Sequence, residues 1–260
     1  MNRLVVTICL APAALAAGGI FDEADVVFLG ELHDVPGHHL RQAEYTRELD
    51  PTALVFEMLT QAQADLVTPD LIADPDALEQ VLNWSDSGWP DFAMYAPIFA
   101  AAPNAEFYGA AVPRDVARAA MQGEVAESFR GDAVAFGLSD PLPTDQQVER
   151  ERLQMAAHCD ALPAEMLPAM VDIQRLRDAE LAYSARQAFQ AHGSPVVVIT
   201  GNGHARRDWG APVYLERVAP ELSIAALGQG EEGDGDPDGL FDLVEHSQPA
   251  IRDDPCDAFR

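Results

Sequence analysis

Two stretches of this chain share one shape: in "VVFLGELH", residues 26–33, and "VVVITGNGH", residues 196–204, an apolar run ends in Gly-x-x-His. Such runs do not alternate apolar with polar residues, so neither face of the strand they form is left to water. Strands covered on both faces belong to parallel sheets with helices packed on each side. Shorter runs of the same character occupy 53–56, 105–109 and 222–227. Between the runs, apolar residues recur at helical spacing over 37–48, 60–68, 76–84, 91–102, 114–129 and 145–158. A longer helical stretch over 164–191 carries Pro168, where a kink or restart is expected. Strands alternating with helices predict an α/β fold: a largely parallel central sheet flanked by helices, in a single domain. The stretch "GQGEEGDGDPDG", 228–239, reads as an exposed acidic loop.

In open parallel sheets, ligands bind beyond the carboxyl ends of the strands. The polar residues of this chain fall at those ends. After the first run come Gly30, Glu31 and His33, and after the second Glu57. After the third come Gly109 and Arg114, and after the fourth Gly201 and His204. The glycines are expected to permit tight turns or positive φ, letting the next side chain point back over the strand ends. His33, Glu57 and His204 together suit a divalent transition metal such as zinc or manganese. In the long helix Met166, Met170, Gln174, Arg177 and Leu181 share one face, from which Gln174 and Arg177 reach towards the rim. His39 and Gln42, three residues apart, face one direction, and His39 is expected to support the rim from behind.

Charge narrows the partners. With 43 Asp and Glu against 16 Lys and Arg the net charge is −27, so no basic face for a nucleic acid can form. The first residues resemble an export leader: Arg3, an apolar stretch over 4–16 and a small-residue cleavage signal at Ala14-Leu15-Ala16, which puts the mature domain at 18–260. Removal of residues 1–17 leaves Cys159 and Cys256, a disulfide candidate in an exported chain, with two free thiols as the alternative. The segment 234–245 fits the spacing of a calcium loop, with Asp234, Asp236, Asp238 and Glu245 as ligands, although an acidic surface hairpin is the favoured reading.

The motifs come in a recognisable order. "VVFLGELHDVPGHHLRQ", "ALVFEMLTQAQ", "WPDFAMYAPIFAAA", "VPRDVA", "HCDALPAEMLPAMVDIQRLRDAELA" and "VVVITGNGHARRDWGAPVYL" span residues 24–218. Together they resemble the ChaN-type haem-binding proteins, within the superfamily that also holds the Tiki proteases and TraB proteins. The resemblance implies an exported, periplasmic or membrane-associated protein of haem and iron uptake. It implies haem as ligand, held in some members between two copies with a tyrosine on the iron, and an outer-membrane haem receptor as partner. Tyr95, beside Trp89, Phe92 and Met94, is the candidate for that tyrosine, with Arg114, His39, Gln174 and Arg177 as further ligand contacts. Its alternative is a place in an amphipathic core helix.

The Tiki branch implies something else, a metal-dependent hydrolase acting on peptides. His33, Glu57 and His204 would then hold the metal, Glu31 or Glu57 would be the general base, and Arg114 would stabilise the oxyanion. A third reading is an acidic binding module whose ligand is neither haem nor a metal.

Overall fold

The computed structural model describes residues 18–252 and Cys256; the leader-like segment 1–17 lies outside the described residues. Its centre is a six-stranded sheet in the order β3-β2-β4-β1-β5-β6, parallel throughout. The strands are β1 (Val26–Glu31), β2 (Ala53–Phe56), β3 (Glu106–Gly109), β4 (Val196–Gly201), β5 (Ile224–Glu231) and β6 (Leu243–Ser247).

Alternate residues of each strand feed two cores, as the two-residue repeat of a strand requires. Val27, Leu29, Leu54, Phe56, Val197 and Ile199 point to one face, under α2 (Pro36–Leu49), α5 (Pro75–Leu82) and α6 (Phe92–Ala101). Val26, Phe28, Val55, Val196 and Val198 point to the other, under α9 (Leu167–His192) and α11 (Ala211–Val218). On α9, Ala179, Ala182, Ala185 and Ala188 are fully buried. A row of such small side chains lets a long helix lie close against the strands.

The remaining helices are short or peripheral: α1 (Gly18–Phe21), α3 (Gln61–Ala64), α4 (Pro69–Ile72), α7 (Arg114–Ala120), α8 (Thr144–Ala157) and α10 (Asn202–Ala205). Among the described residues no helix is long and apolar enough to cross a membrane. Cys159, just past the end of α8, is disulfide-bonded to Cys256.

Of the kink or restart expected at Pro168, the structure shows the restart: a 3₁₀ turn over Ala164–Met166 gives way to α9, and Pro168 sits in its first turn, where its missing N–H costs nothing. The structure corrects three details of the sequence reading. The helix expected over 60–68 ends at Ala64, and the chain restarts at Pro69 with Thr68 as its cap. Residues 228–231 are not exposed loop but the buried end of β5. The Gly-rich spelling hid a strand whose Gln229 faces inward, donating to the carbonyls of Gly30 at 2.7 Å and His38 at 3.2 Å. The calcium reading fails at Glu245, which lies on β6 and accepts from Arg41 Nε at 2.7 Å and Tyr45 OH at 2.7 Å. Its carboxylate is spent on those donors, and Asp236 pairs with His246 at 3.2 Å.

Candidate functional site

The register of the sheet explains why two Gly-x-x-His motifs occur. β1 and β4 are neighbours, with Gly30 opposite Thr200 and Glu31 opposite Gly201. The two motifs therefore end side by side on one rim. β2 flanks β4 with Phe56 opposite Ile199, which carries Glu57 to the same edge.

The glycines serve this edge by being small. Neither Gly30 nor Gly201 has positive φ; Gly201 has φ −64°. A Cβ on Gly30 would lie 2.5 Å from Asn202 Oδ1 and 2.6 Å from the Leu227 carbonyl oxygen, and one on Gly201 would lie 3.0 Å from His33 Nε2. Close approach of the polar groups, not an unusual backbone, is what requires glycine here.

Two carboxylate–imidazole groups stand on the rim. In the first, His33 Nδ1 lies 2.7 Å from Glu31 Oε1, which also accepts from Tyr95 OH at 2.9 Å. His39 donates from Nε2 to the His33 carbonyl at 2.9 Å and brings Nδ1 within 3.2 Å of Glu31 Oε2. Burial alone would raise the Glu31 carboxyl, but the hydrogen bonds and charges of His33 and His39 hold it well below the usual carboxylate range. Burial would likewise lower His33, yet the bond to Glu31 and the charges of Glu57, Glu31 and Asp34 push its pKa up to about 9.

In the second group, Glu57 Oε2 accepts from Thr200 OH at 2.7 Å and from the Gly201 N–H at 2.8 Å. Its Oε1 lies 3.6 Å from His204 Nε2, while His204 Nδ1 lies 2.6 Å from Asp178 Oδ1. Burial works against the charged imidazole, but the carboxylates on both sides outweigh it and raise the His204 pKa.

Both groups border a cavity of about 750 Å³, which brings His33, Glu57, Arg114, Gln174, Arg177 and His204 around one space. His33 is the more open of the two imidazoles, its side chain 34% exposed against 10% for His204. It packs against the edge of Trp89, ring centroids 4.9 Å apart. Arg114 is exposed at the mouth and donates to the Ser87 carbonyl at 3.1 Å.

A family model described as haem-binding uptake, Tiki superfamily, ChaN matches residues 20–215. The chain belongs to that family. Among solved structures, the ChaN of Campylobacter jejuni, whose description is cofacial haem binding, superposes with a TM-score of 0.63. It is 18% identical over 82% of this chain and 84% of its own, a likeness that shows the shared fold. A type III effector, HopBA1, gives a TM-score of 0.47 at 12% identity, covering 87% of this chain and 88% of its own. No curated protein sequence matches the chain.

The structure places the expected tyrosine, Tyr95, in the core beside Glu31. Tyr95 is fully buried in α6, packed between His39 and Trp84 with ring centroids at 4.3 and 4.8 Å. Burial, and then the charge and hydrogen bond of Glu31, raise its phenol far above the ordinary tyrosine value, and Tyr95 does not line the 750 Å³ cavity. Nor do Tyr45, Tyr108, Tyr183 or Tyr214 line the 750 Å³ cavity.

The metal expectation gains no support: among the described residues no group of three or more His, Cys, Asp or Glu side chains is arranged to hold a metal ion.

Two site residues went unnoticed in the sequence. Asp178 stands one helical turn after Gln174, on the face already assigned to the rim, so its spacing was a usable signal. Asn202 pairs with the β5 backbone, donating to the Gln229 carbonyl at 2.7 Å and accepting its N–H at 3.0 Å. No local pattern announces a bond to a strand that lies so far along the chain.

Proposed function

We propose that this chain binds haem in the cavity at the strand carboxyl ends, with the His33 imidazole as the iron ligand. The observation that carries this reading is the arrangement of His33. Its Nδ1 is held by Glu31 while the ring borders the cavity, the orientation in which a carboxylate fixes a metal-ligating histidine. Glu31 is then a positioning residue, and Trp89 offers an aromatic surface beside the ring. Arg114 and Arg177 line the same cavity and suit the two propionates. The volume falls within the range of small-molecule sites. Export is part of the reading, supported by the Cys159–Cys256 bond, since disulfides persist in oxidising compartments.

Hemin titration of the purified protein tests it. The expected result is a saturable Soret shift at about one haem per chain, lost in His33→Ala. A wild-type shift that His33→Ala leaves unchanged refutes the assignment of the ligand. No saturable shift at all refutes haem binding at this rim.

A second reading rests on His204, held between Asp178 and Glu57 in the manner of an oriented general base. In that reading the chain hydrolyses a peptide or ester bound in the same cavity. Turnover of such substrates that is abolished by His204→Ala, without loss of fold, would favour it.

A further inference from the structure

Behind His204 lies a second chamber of about 500 Å³, between α8, α9, α10 and the β5–β6 turn. Its walls are mainly apolar, with Leu32, Leu153, Ala157, Val171 and Trp209 among them. It shares only Gln174 and His204 with the cavity at the rim. Polar residues line it too, Gln154, Asp178, Arg206 and Asp238 among them, and one stands out. Arg150 lines it, is only 7% exposed, and has no described carboxylate within ion-pair distance, although Asp178 stands in the same wall.

The guanidinium is poorly satisfied. Its Nη2 reaches Gln146 Oε1 and the Trp209 carbonyl, each at a long 3.3 Å, and it lies 5.1 Å from the centre of the Trp209 ring. Its Nε is buried without a hydrogen-bond partner, as is Oε1 of Gln154, one turn along the same helix and also in the wall. Burial works against the charge, with the Asp178 carboxylate and the charge and hydrogen bond of Tyr214 supplying partial compensation from nearby. A buried charge without a close partner costs several kcal/mol. In a chain with 43 acidic residues, leaving an arginine without a carboxylate is a conspicuous omission. Arg206, in the same wall, is by contrast matched by Asp208 at 2.5 Å.

We propose that this chamber is a second binding site, separate from the rim cavity, for an amphipathic monocarboxylate: an apolar body against Trp209 and Leu153, its carboxylate on Arg150. The ligand brings the missing counter-ion, and its apolar body leaves water for the apolar part of the wall.

Pyrenebutyrate, with pyrenebutanol as its uncharged counterpart, tests this by fluorescence titration of the full chain. The acid is expected to bind saturably and at least about tenfold more tightly than the alcohol, the ratio that a charge-assisted hydrogen bond of about 1.4 kcal/mol supplies. Arg150→Gln is expected to erase that ratio while leaving the melting temperature of the free protein unchanged or higher, since it removes an unpaired buried charge. Should that variant fail to fold, Ala156→Trp, on an exposed position of the chamber wall, is expected to block binding. Equal affinity for acid and alcohol overturns the proposal, as does an acid preference that survives Arg150→Gln. Stoichiometric displacement of pyrenebutyrate by hemin overturns it as well, by giving the chamber to haem. Binding that persists in His33→Ala supports it and separates its fate from that of the haem site.

Discussion

Gly30→Ala tests whether space, and not backbone conformation, is what the Gly-x-x-His motif requires. The added methyl would meet Asn202 Oδ1 at 2.5 Å and the Leu227 carbonyl oxygen at 2.6 Å. One of these is main chain of a hydrogen-bonded neighbouring strand, so β1 and β5 would have to part locally, and Asn202 would have to leave its two bonds to Gln229. Overpacking of a closed core costs 1–3 kcal/mol, and contacts this short to polar atoms place the substitution at about 3 kcal/mol. For a domain of this size that corresponds to a fall in melting temperature of about 6–12 °C. Differential scanning calorimetry of wild type and variant measures it, with Gly203→Ala as the control, because a Cβ there meets nothing within 4 Å. A fall of less than about 2 °C for Gly30→Ala, or equal falls for both variants, would refute the reasoning, since the first change would then be relieved without parting the strands.

Other consequences follow from the same rim. The His33 pKa stands at about 9 in the folded chain against 6.5 for the free side chain, so its contribution to stability is complete below pH 6.5 and is lost as the pH rises through 9. After allowance for a side chain 34% exposed, that is about 1–2 kcal/mol. Urea denaturation at pH 6 and pH 10 reads it, and Glu31→Gln is expected to flatten the difference. Tyr95→Phe removes one hydrogen bond from Glu31 and is expected to cost about 1 kcal/mol of stability while leaving any Soret band in place; a changed band would return Tyr95 to the ligand set. Cys159→Ser opens a loop with a sequence separation of 97, worth up to about 4–5 kcal/mol by chain entropy, and is expected to lower the denaturation midpoint without altering hemin affinity.

Much of the architecture was written in local patterns. Five of the six strands announce themselves as apolar runs; four of them do so because a strand buried on both faces has no polar alternation to blur it, while β3, at the sheet edge, is only partly buried. β6 escaped for the converse reason. Leu243–Ser247 lies at the edge of the sheet, is only partly buried and carries Glu245 and His246, so its composition matches a surface turn. α10 is a single turn and α11 is short, both below the length at which helical spacing becomes distinctive.

The site was legible to the extent that strand ends are. His33, Glu57 and His204 follow closely on a run and Arg114 comes a short loop after one, and parallel strands must deliver such residues to one edge. What local spacing does not specify is which of them become partners. That depends on strand order, and β4 enters the sheet between β2 and β1 although it follows both in the chain. With β4 in that slot, Glu57 meets Thr200 and Gly201 instead of a group from β1. With Glu31 opposite Gly201, the one position lacking a side chain faces the carboxylate that holds His33. A slip of one residue between β1 and β4 would turn Glu31 into the opposite core and bring Gly30 or Leu32 to its place. The register that buries Val27 and Leu29 under α2 is therefore the same register that assembles the rim, and the apolar runs do for the site what no polar residue in it does alone.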